Sequence, residues 1–392
     1  MPNNKKHHYI PRFYLKKFSV DKKSICLYNL PKELKVVGAN LKNQCYKNYF
    51  YGKDLKTETA LSGIEGEVSQ LYKEIEKHCT LPPPFSDQHI LLIISILVQH
   101  GRTKYNADAM DDMHNKMFQH VFKEKMEAEI EGLNLNDYIV GIQNIAQYSI
   151  GIFIQYYPLL LDLGYKLILN NTKVDFMTSD NPVVMFNQLL SFRKLGSNTG
   201  LSSKGLQIFF PLSPDKLIII YDSSIYRVGG ERKTVFEITN ERDVYNLNAL
   251  QACSCYENIY FSNDDHDITS LHRKVRPFLR QNMSQMGVFP EYDHGKRKSE
   301  IIINYREDIC FYPNLSFLSI RKSARKWCSY FQKQASQPAL VMRNKSLHDD
   351  AKEFADKVKE NEYDVSEFVK FLAEKYEWDK QTNDISTSLP TI

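Results

Sequence analysis

No apolar run in this 392-residue sequence approaches the roughly 20 residues that a membrane-crossing helix requires; the longest, Ile90 to Val98, reads as a buried core helix. The basic opening MPNNKKHHYIPRFYLKKF has neither an apolar core nor a small-residue cleavage site, so no secretory signal is visible and a cytoplasmic setting without a membrane partner is expected. Cysteine supplies no disulfide framework. The seven residues are odd in number and scattered, and they are expected to be free thiols in a chain too large to need staples. The one close pair, Cys253 and Cys255, would point about 200° apart on a helix, which argues against a zinc knuckle or a redox dithiol. Also missing are a phosphate-cradling Gly loop, a dinucleotide fingerprint, a zinc-binding His-Glu-x-x-His and a Gly-x-Ser-x-Gly elbow. Nor does a histidine follow Arg102 at short helical spacing, since the next one is His114.

What is present is ordinary globular material, 42% hydrophobic and 25% charged, in a length that suits one large domain with additions or two domains. The net charge of +4 conceals a polarity along the chain. Residues 1–35 hold nine Lys or Arg against two acids, residues 270–345 fifteen against five, and residues 349–392 six Lys against twelve acids. The basic segments could face a polyanion.

Periodicity predicts an α+β fold. ICLYNL and the tyrosine-rich NQCYKNYFYG suit a short hairpin. Leu61, Ile64, Val68, Leu71 and Ile75 then make one stripe of an amphipathic helix over 57–79. Ser86 or Asp87 caps a central helix running to about Arg102, from which Gln99, His100 and Arg102 would emerge, and two more helical patterns cover roughly 106–132 and 137–157. This helical block (about 57–157) packs on a mostly antiparallel sheet built from KLILN, KVDFMTS, PVVMF, LQIFFPL and KLIIIY. The stretch SFRKLGSNTGLSSKG between them reads as a surface loop or lid. The expected organisation is a core over 1–265, a C-terminal layer of basic and acidic helices over 266–378, and a disordered tail over 379–392.

The most distinctive stretch is His8-Tyr9-Ile10-Pro11-Arg12-x-Tyr14-Leu15-x-x-Phe18, followed later by Thr178-Ser179-Asp180-Asn181-Pro182-Val183 and Phe210-Pro211-Leu212-Ser213-Pro214. In order and spacing these motifs, with Ile64-Glu65 and the pair Gln99 and Arg102, resemble the bacterial domain-of-unknown-function family 4238 over residues 1–260. The resemblance implies no activity by itself.

Read chemically, His7 and His8 supply a base, an acid or a metal ligand, and Arg12 and Arg102 can clamp phosphate. Asp180 and Asn181 stand at a strand end, where a turn can project them into a cleft. Each has a plainer reading as well: a solvated basic arm for the histidines, a pair with Glu65 for Arg102, and a turn former in Asp-Asn-Pro. In the C-terminal layer, Arg273, Arg276, Arg321, Lys322, Arg325 and Lys326 with Trp327 combine charge and an aromatic as phosphate contact and base stacking require, unless they neutralise the acidic helix after them. The expectation is a nucleic-acid-directed hydrolase, a nuclease or toxin-like effector in bacterial defence. His7, His8, Glu65, Arg102, Asp180 and Asn181 would form its site, on RNA or DNA, with a divalent metal as an open option. The alternative is a non-enzymatic module binding nucleic acid, a protein partner or a second copy.

Overall fold

The computed structural model describes residues 5–193, 196–230, 233–264, 266–293, 296–333, 341–359, 371–372 and 375. The expected disordered tail over 379–392 lies outside them. In chain order the elements are β1 (Lys6–His8), α1 (Arg12–Leu15), β2 (Ser24–Asn29), β3 (Leu34–Asn40) and β4 (Tyr46–Asn48). A helical block follows, made of α2 (Lys56–His78), α3 (Asp87–Gly101), α4 (Lys104–Glu129) and α5 (Ile145–Gln155). Next come β5 (Gly164–Asn170), β6 (Thr178–Ser179), β7 (Val184–Phe186), β8 (Gln207–Ser213), β9 (Lys216–Tyr221), β10 (Tyr226–Val228) and β11 (Val235–Ile238). The remainder is α6 (Glu241–Ser254), β12 (Asn258–Phe261), α7 (Ile268–Val275), β13 (Ser284–Asp293), β14 (Lys296–Arg306), β15 (Leu318–Ile320), α8 (Arg325–Lys333) and α9 (Lys345–Lys359).

The fold is α+β. Its main sheet has the order β11-β5-β9-β8-β7 and is antiparallel except where β11 runs parallel to β5. Side chains alternate across a strand, so successive residues of IFFPL and LIIIY feed different cores. Ile208, Phe210, Leu212, Ile218 and Ile220 join the arm and the helical block on one face. Phe209, Leu217, Ile219 and Tyr221 meet α6 and α7 on the other. Because both faces are covered, these strands read as unbroken apolar runs rather than as a polar and apolar alternation. Ile309, Phe311, Leu315 and Phe331 of the C-terminal layer enter that second core.

The central helix is as expected: Ser86 caps it by accepting from the His89 N–H, and Leu92, Ile93, Ile96 and Leu97 are buried around its whole circumference. Three expectations need correction. The hairpin partner of β2 is β3, not the tyrosine-rich stretch, which instead gives β4 and pairs with β1. The end of the central helix does not emerge from the core, for Gln99, His100 and Arg102 are all buried. Nor is the loop after β7 a free lid, since Arg193, Asn198, Ser202 and Ser203 are buried and Lys204 N–H donates to the Val341 carbonyl at 2.8 Å. Polar composition suggested exposure there; backbone and side-chain hydrogen bonds supplied by the C-terminal layer make burial affordable.

The N-terminal arm docks. Tyr9, Ile10, Tyr14, Leu15 and Phe18 are buried, and the Tyr14 ring stacks on Phe210 at 5.3 Å. Its hydroxyl donates to the Pro211 carbonyl at 2.7 Å and lies 2.7 Å from Thr178 Oγ1, so the arm is joined to both later motifs. Tyr14→Phe keeps the ring but strands buried polar partners, and should lower the unfolding free energy by about 1–3 kcal/mol in a urea titration. An unchanged midpoint would mean that the arm is not held through this hydroxyl.

Candidate active site at the N-terminal arm

Strand alternation sorts the two histidines. In β1, paired to β4 through Lys6↔Asn48, His7↔Lys47 and His8↔Tyr46, adjacent side chains point to opposite sides. His7 is fully buried, stacked on the Tyr51 ring at 5.7 Å, with Nδ1 accepting from the Tyr51 N–H at 3.2 Å. His8 is half-buried and faces outward. Its Nε2 lies 3.3 Å from the Lys42 carbonyl, which can only accept, so Nε2 carries the proton and Nδ1 keeps the lone pair. Burial lowers the His8 pKa from the ordinary imidazole value, and the positive charges of Arg12 and Arg102 lower it further, against the Lys42 bond and Glu65. A neutral imidazole with one free lone pair is the form a general base needs.

Beneath this histidine, Arg102 caps the end of α3 and is only 3% exposed. Its Nη1 donates to Glu65 Oε1 at 2.7 Å, its Nη2 to the His8 carbonyl at 2.8 Å and its Nε to the Tyr51 hydroxyl at 3.1 Å. One guanidinium thus holds α2, β1 and the segment after β4 together. Gln99, one turn earlier, donates to the Tyr9 carbonyl at 3.3 Å. On the far side of the pair, Phe13, Ile64, Val68, Tyr72 and Phe210 enclose a small, mainly apolar pocket between α2 and α3.

An open cavity of about 440 Å³ lies over His8, lined also by Lys6, Arg12, Lys42, Asn43 and Glu58. Among the described residues Arg12 Nε and Glu58 Oε2 are both buried and neither has a hydrogen-bond partner. Opposite charges lining one cavity would ordinarily pair; these two do not. Burial raises the Glu58 pKa above the usual carboxylate value, with Glu65 adding to the shift and Arg102 opposing it. Lys6 Nζ donates to Asn43 Oδ1 at 3.2 Å and sits 4.3 Å over the Tyr46 ring. The arrangement offers a neutral base, three cationic side chains and a carboxyl group in one water-accessible space.

Asp180 and Asn181 are placed elsewhere. The Asp180 carboxylate accepts from the N–H groups of Tyr256, Glu257 and Asn258 at 2.9, 2.8 and 3.0 Å, closing the turn after α6. Burial lifts its pKa to about 6, with those three bonds pulling it back. Asn181 Nδ2 donates to the Ser254 carbonyl at 2.9 Å. The expected meeting of the histidines with this turn is therefore replaced: its oxygens are taken by backbone donors, and the arm is bonded to the motif through the Tyr14 hydroxyl and Thr178. Nor do the basic C-terminal residues join the arm cavity. Arg273 is exposed, Arg276 forms an exposed pair with Glu33 at 3.7 Å, and Arg321 Nε donates to the Ser223 carbonyl at 2.8 Å. Lys322, Arg325 and Lys326 are exposed beside Trp327, whose ring stacks on Phe331 at 5.7 Å. Within the described part of the acidic stretch, Leu347, Ala351 and Phe354 of α9, with Leu372, pack against Leu159 rather than against this face. Among the described residues no three His, Cys, Asp or Glu side chains cluster as a metal ion would need, and all seven cysteines are free. No described helix is long and apolar enough to cross a membrane.

Sequence reasoning found His8, Arg12, Glu65 and Arg102 but missed Lys6, Lys42, Tyr51 and Glu58. A signal existed for Lys6 alone, two positions before His8 and so on the same side of a strand; the other three depend on tertiary folding.

A family model described as a protein of unknown function (DUF4238) matches residues 6–265, a span that holds the whole arm cavity and the Asp180 turn. No curated protein and no solved structure matches the chain.

Arg102→Met removes the buried charge but leaves the His8 carbonyl, Glu65 and the Tyr51 hydroxyl without it, and should cost about 3–5 kcal/mol. Glu65→Gln keeps a hydrogen bond at a half-exposed acceptor and should cost about 1–2 kcal/mol. Chemical denaturation of the two variants checks the order; a larger loss for Glu65→Gln would overturn the assignment of Arg102 as the clamp.

Proposed function

Because the chain belongs to the DUF4238 family and the matched span carries every residue lining the arm cavity, we propose that this cavity binds and hydrolyses phosphodiesters of nucleic acid. The observation that carries the reading is Arg12: its Nε is buried without a partner in a cavity that also holds Lys6, Lys42 and the neutral imidazole of His8. An unpaired guanidinium facing such a space is matched by an oxyanion, which it binds through two parallel N–H groups.

In this mechanism His8 Nδ1 takes a proton from the attacking water while Arg12, Lys6 and Lys42 stabilise the charge that develops on the phosphoryl oxygens. Glu58, whose pKa burial raises above the usual carboxylate value, donates to the departing oxygen when it carries its proton. Arg102 acts through the His8 backbone as a positioning residue. The basic surface of Lys322, Arg325 and Lys326 beside Trp327 extends the contact with the strand by counterion release and stacking.

The test is turnover of single- and double-stranded RNA and DNA, with and without Mg²⁺ or Mn²⁺, by wild type and the His8→Ala, Arg12→Ala and Glu58→Gln variants. Loss of the base should reduce the rate by about 10²–10⁴-fold. Stability should change little, since the one ring bond of His8 goes to a surface carbonyl. The base works only when unprotonated, above a pKa lowered from 6.5, and the acid only when protonated, below one raised from 4.5. The rate should therefore be bell-shaped with its maximum on the acid side of neutrality, and Glu58→Gln should remove the alkaline limb. Equal rates from wild type and His8→Ala would sink the proposal, and salt-sensitive binding without turnover would leave a nucleic-acid-binding module.

A further inference from the structure

Beyond residue 265, where the family span ends, the chain builds the long hairpin of β13 and β14. The strands pair through Ser284↔Arg306, Met286↔Asn304, Val288↔Ile302 and Pro290↔Glu300, and among the described residues no third strand joins them. Each strand therefore keeps one open edge, and the two edges differ. β13 carries Gly287, an exposed Pro290 and a register shift between Glu291 and Tyr292. A proline inside a strand is tolerated where its nitrogen faces away from the ladder, so Pro290 and the bulge close that edge to further pairing. β14 has no such device: from Ser299 to Arg306 it contains neither proline nor glycine, and Ile301, Ile302 and Ile303 stand at its centre.

Helix α4 supports one face of the hairpin and shows where its cover stops. Ser284 Oγ on β13 donates to Asp112 Oδ2 at 2.7 Å, and Lys116 Nζ donates to the Ser284 carbonyl at 2.8 Å. His120 Nε2 lies 2.9 Å from Glu300 Oε2 on β14, and Asn304 Nδ2 donates to the Met113 carbonyl. Successive residues turn by about 100° around a helix, so with Asp112 at the origin Lys116 stands at about 40° and His120 at about 80°. The helix thus meets β13 first and β14 next. Continuing in the same sense, Met117 stands at about 140° and Val121 at about 180°. These two side chains are 45% and 49% exposed. They lie where a third strand, added at the open edge of β14, would pack on α4. On the face turned away from α4, Ile301 is 49% exposed, with Ile303 and Phe289 half-buried beside it.

The strand that fits this place is β14 itself. Laid antiparallel about a two-fold axis at Ile302, it sets Ile302 against its own copy, Ile301 against Ile303 of the second copy, and Glu300 against Asn304 of the second copy. The acid of this run never meets itself, and the isoleucines meet only isoleucines.

We propose that this face forms a homodimer in which β14 pairs with β14 of a second copy, giving one four-stranded sheet across two molecules, with Met117 and Val121 of each α4 covered by the added strand. The guarded β13 edges then lie outermost and stop the sheet at four strands. The contact is independent of the arm cavity and of any turnover there.

The experiment is sedimentation velocity of the full chain over a concentration series, for wild type and for Ile301→Lys and Val121→Glu, which place a charge on either face of the added strand. Wild type should be dimeric at high concentration and dissociate on dilution. Each substitution should raise the dissociation constant by roughly tenfold or more, because the two-fold axis buries every new charge twice. Both positions are exposed in the single chain, so circular dichroism and the melting temperature should stay as in wild type. Ile139→Lys, at an 86% exposed residue on the other side of α4, should leave the dimer unchanged. Mild oxidation of Ile302→Cys should give a covalent dimer that reductant reverses, whereas Val288→Cys and wild type, which keeps the exposed Cys310, should not. A dimer indifferent to Ile301→Lys and Val121→Glu, one weakened equally by Ile139→Lys, or cross-linking of Val288→Cys in place of Ile302→Cys would each overturn the proposal. A wild-type chain that stays monomeric at every concentration would overturn it too, and would leave the edge of β14 to a strand of another protein.

Discussion

A guanidinium cannot shed its charge in a protein, so one buried to the extent of Arg102 has to be surrounded by acceptors before the core can close. Those acceptors come from three places in the chain: Glu65 on α2, the His8 carbonyl on β1 and the Tyr51 hydroxyl beyond β4. None is close to Arg102 in sequence, and each fixes the end of a different segment. The arm cavity inherits its shape from this arrangement. Its floor is the His8 backbone, held from below by Arg102, and its wall includes the first turn of α2, whose later turn supplies Glu65.

The same constraint explains why an arm of some eighteen residues can act as part of the body. Apolar burial of Ile10, Tyr14, Leu15 and Phe18 holds it down, with each fully buried side chain contributing about 1.5–3 kcal/mol. Burial alone is non-directional and would tolerate sliding. The directional bonds at its two ends, Arg102 to the His8 carbonyl and Tyr14 to the Pro211 carbonyl, set the register. His8 is consequently presented on a strand that is fixed at both sides, which is the condition for a side chain to keep one orientation toward a ligand.

Legibility in the sequence followed the range of the interaction. Helices α2 and α3 were readable because their signals, a three-four apolar spacing and a Ser86 cap, are complete within a few residues. The main sheet was readable as strands, since LQIFFPL and KLIIIY leave no other assignment for β-rich runs of that length. Pairing was less so. Nothing local in NQCYKNYFYG says that Tyr46 to Asn48 will line up with Lys6 to His8 rather than with the nearer β2. The Thr-Ser-Asp-Asn-Pro motif is instructive in the same way. Its carboxylate does what turn chemistry predicts, accepting several backbone N–H groups, but they belong to Tyr256, Glu257 and Asn258, far along the chain. A functional role and a long-range structural one look alike in a single sequence. Glu58 was hidden for the opposite reason: it is one more exposed-looking acid in the first turn of a helix until the arm folds over it.

The four residues from Gln99 to Arg102 show how one helix end can hold two neighbouring segments at once. A helix turns about 100° per residue, so positions 99 and 102 lie on nearly one side while position 100 points away. Gln99 and Arg102 bond to the Tyr9 and His8 carbonyls of the arm, and His100 bonds to Arg306 on the other side. Gly101 between them has no room for a side chain of its own, because a Cβ there would come within 3.1 Å of the Ile150 and Ser149 backbone of α5. The glycine lets α5 press against the end of α3, and Ser149 Oγ donates to the Gly101 carbonyl at 2.8 Å to seal it. A helix terminus that would otherwise present unsatisfied carbonyls to solvent is thereby kept inside the core, with its side chains directed to the arm on one side and to Arg306 on the other. The C-terminal layer meets this turn of α3 through Arg306 and, among the described residues, contributes nothing to the lining of the arm cavity.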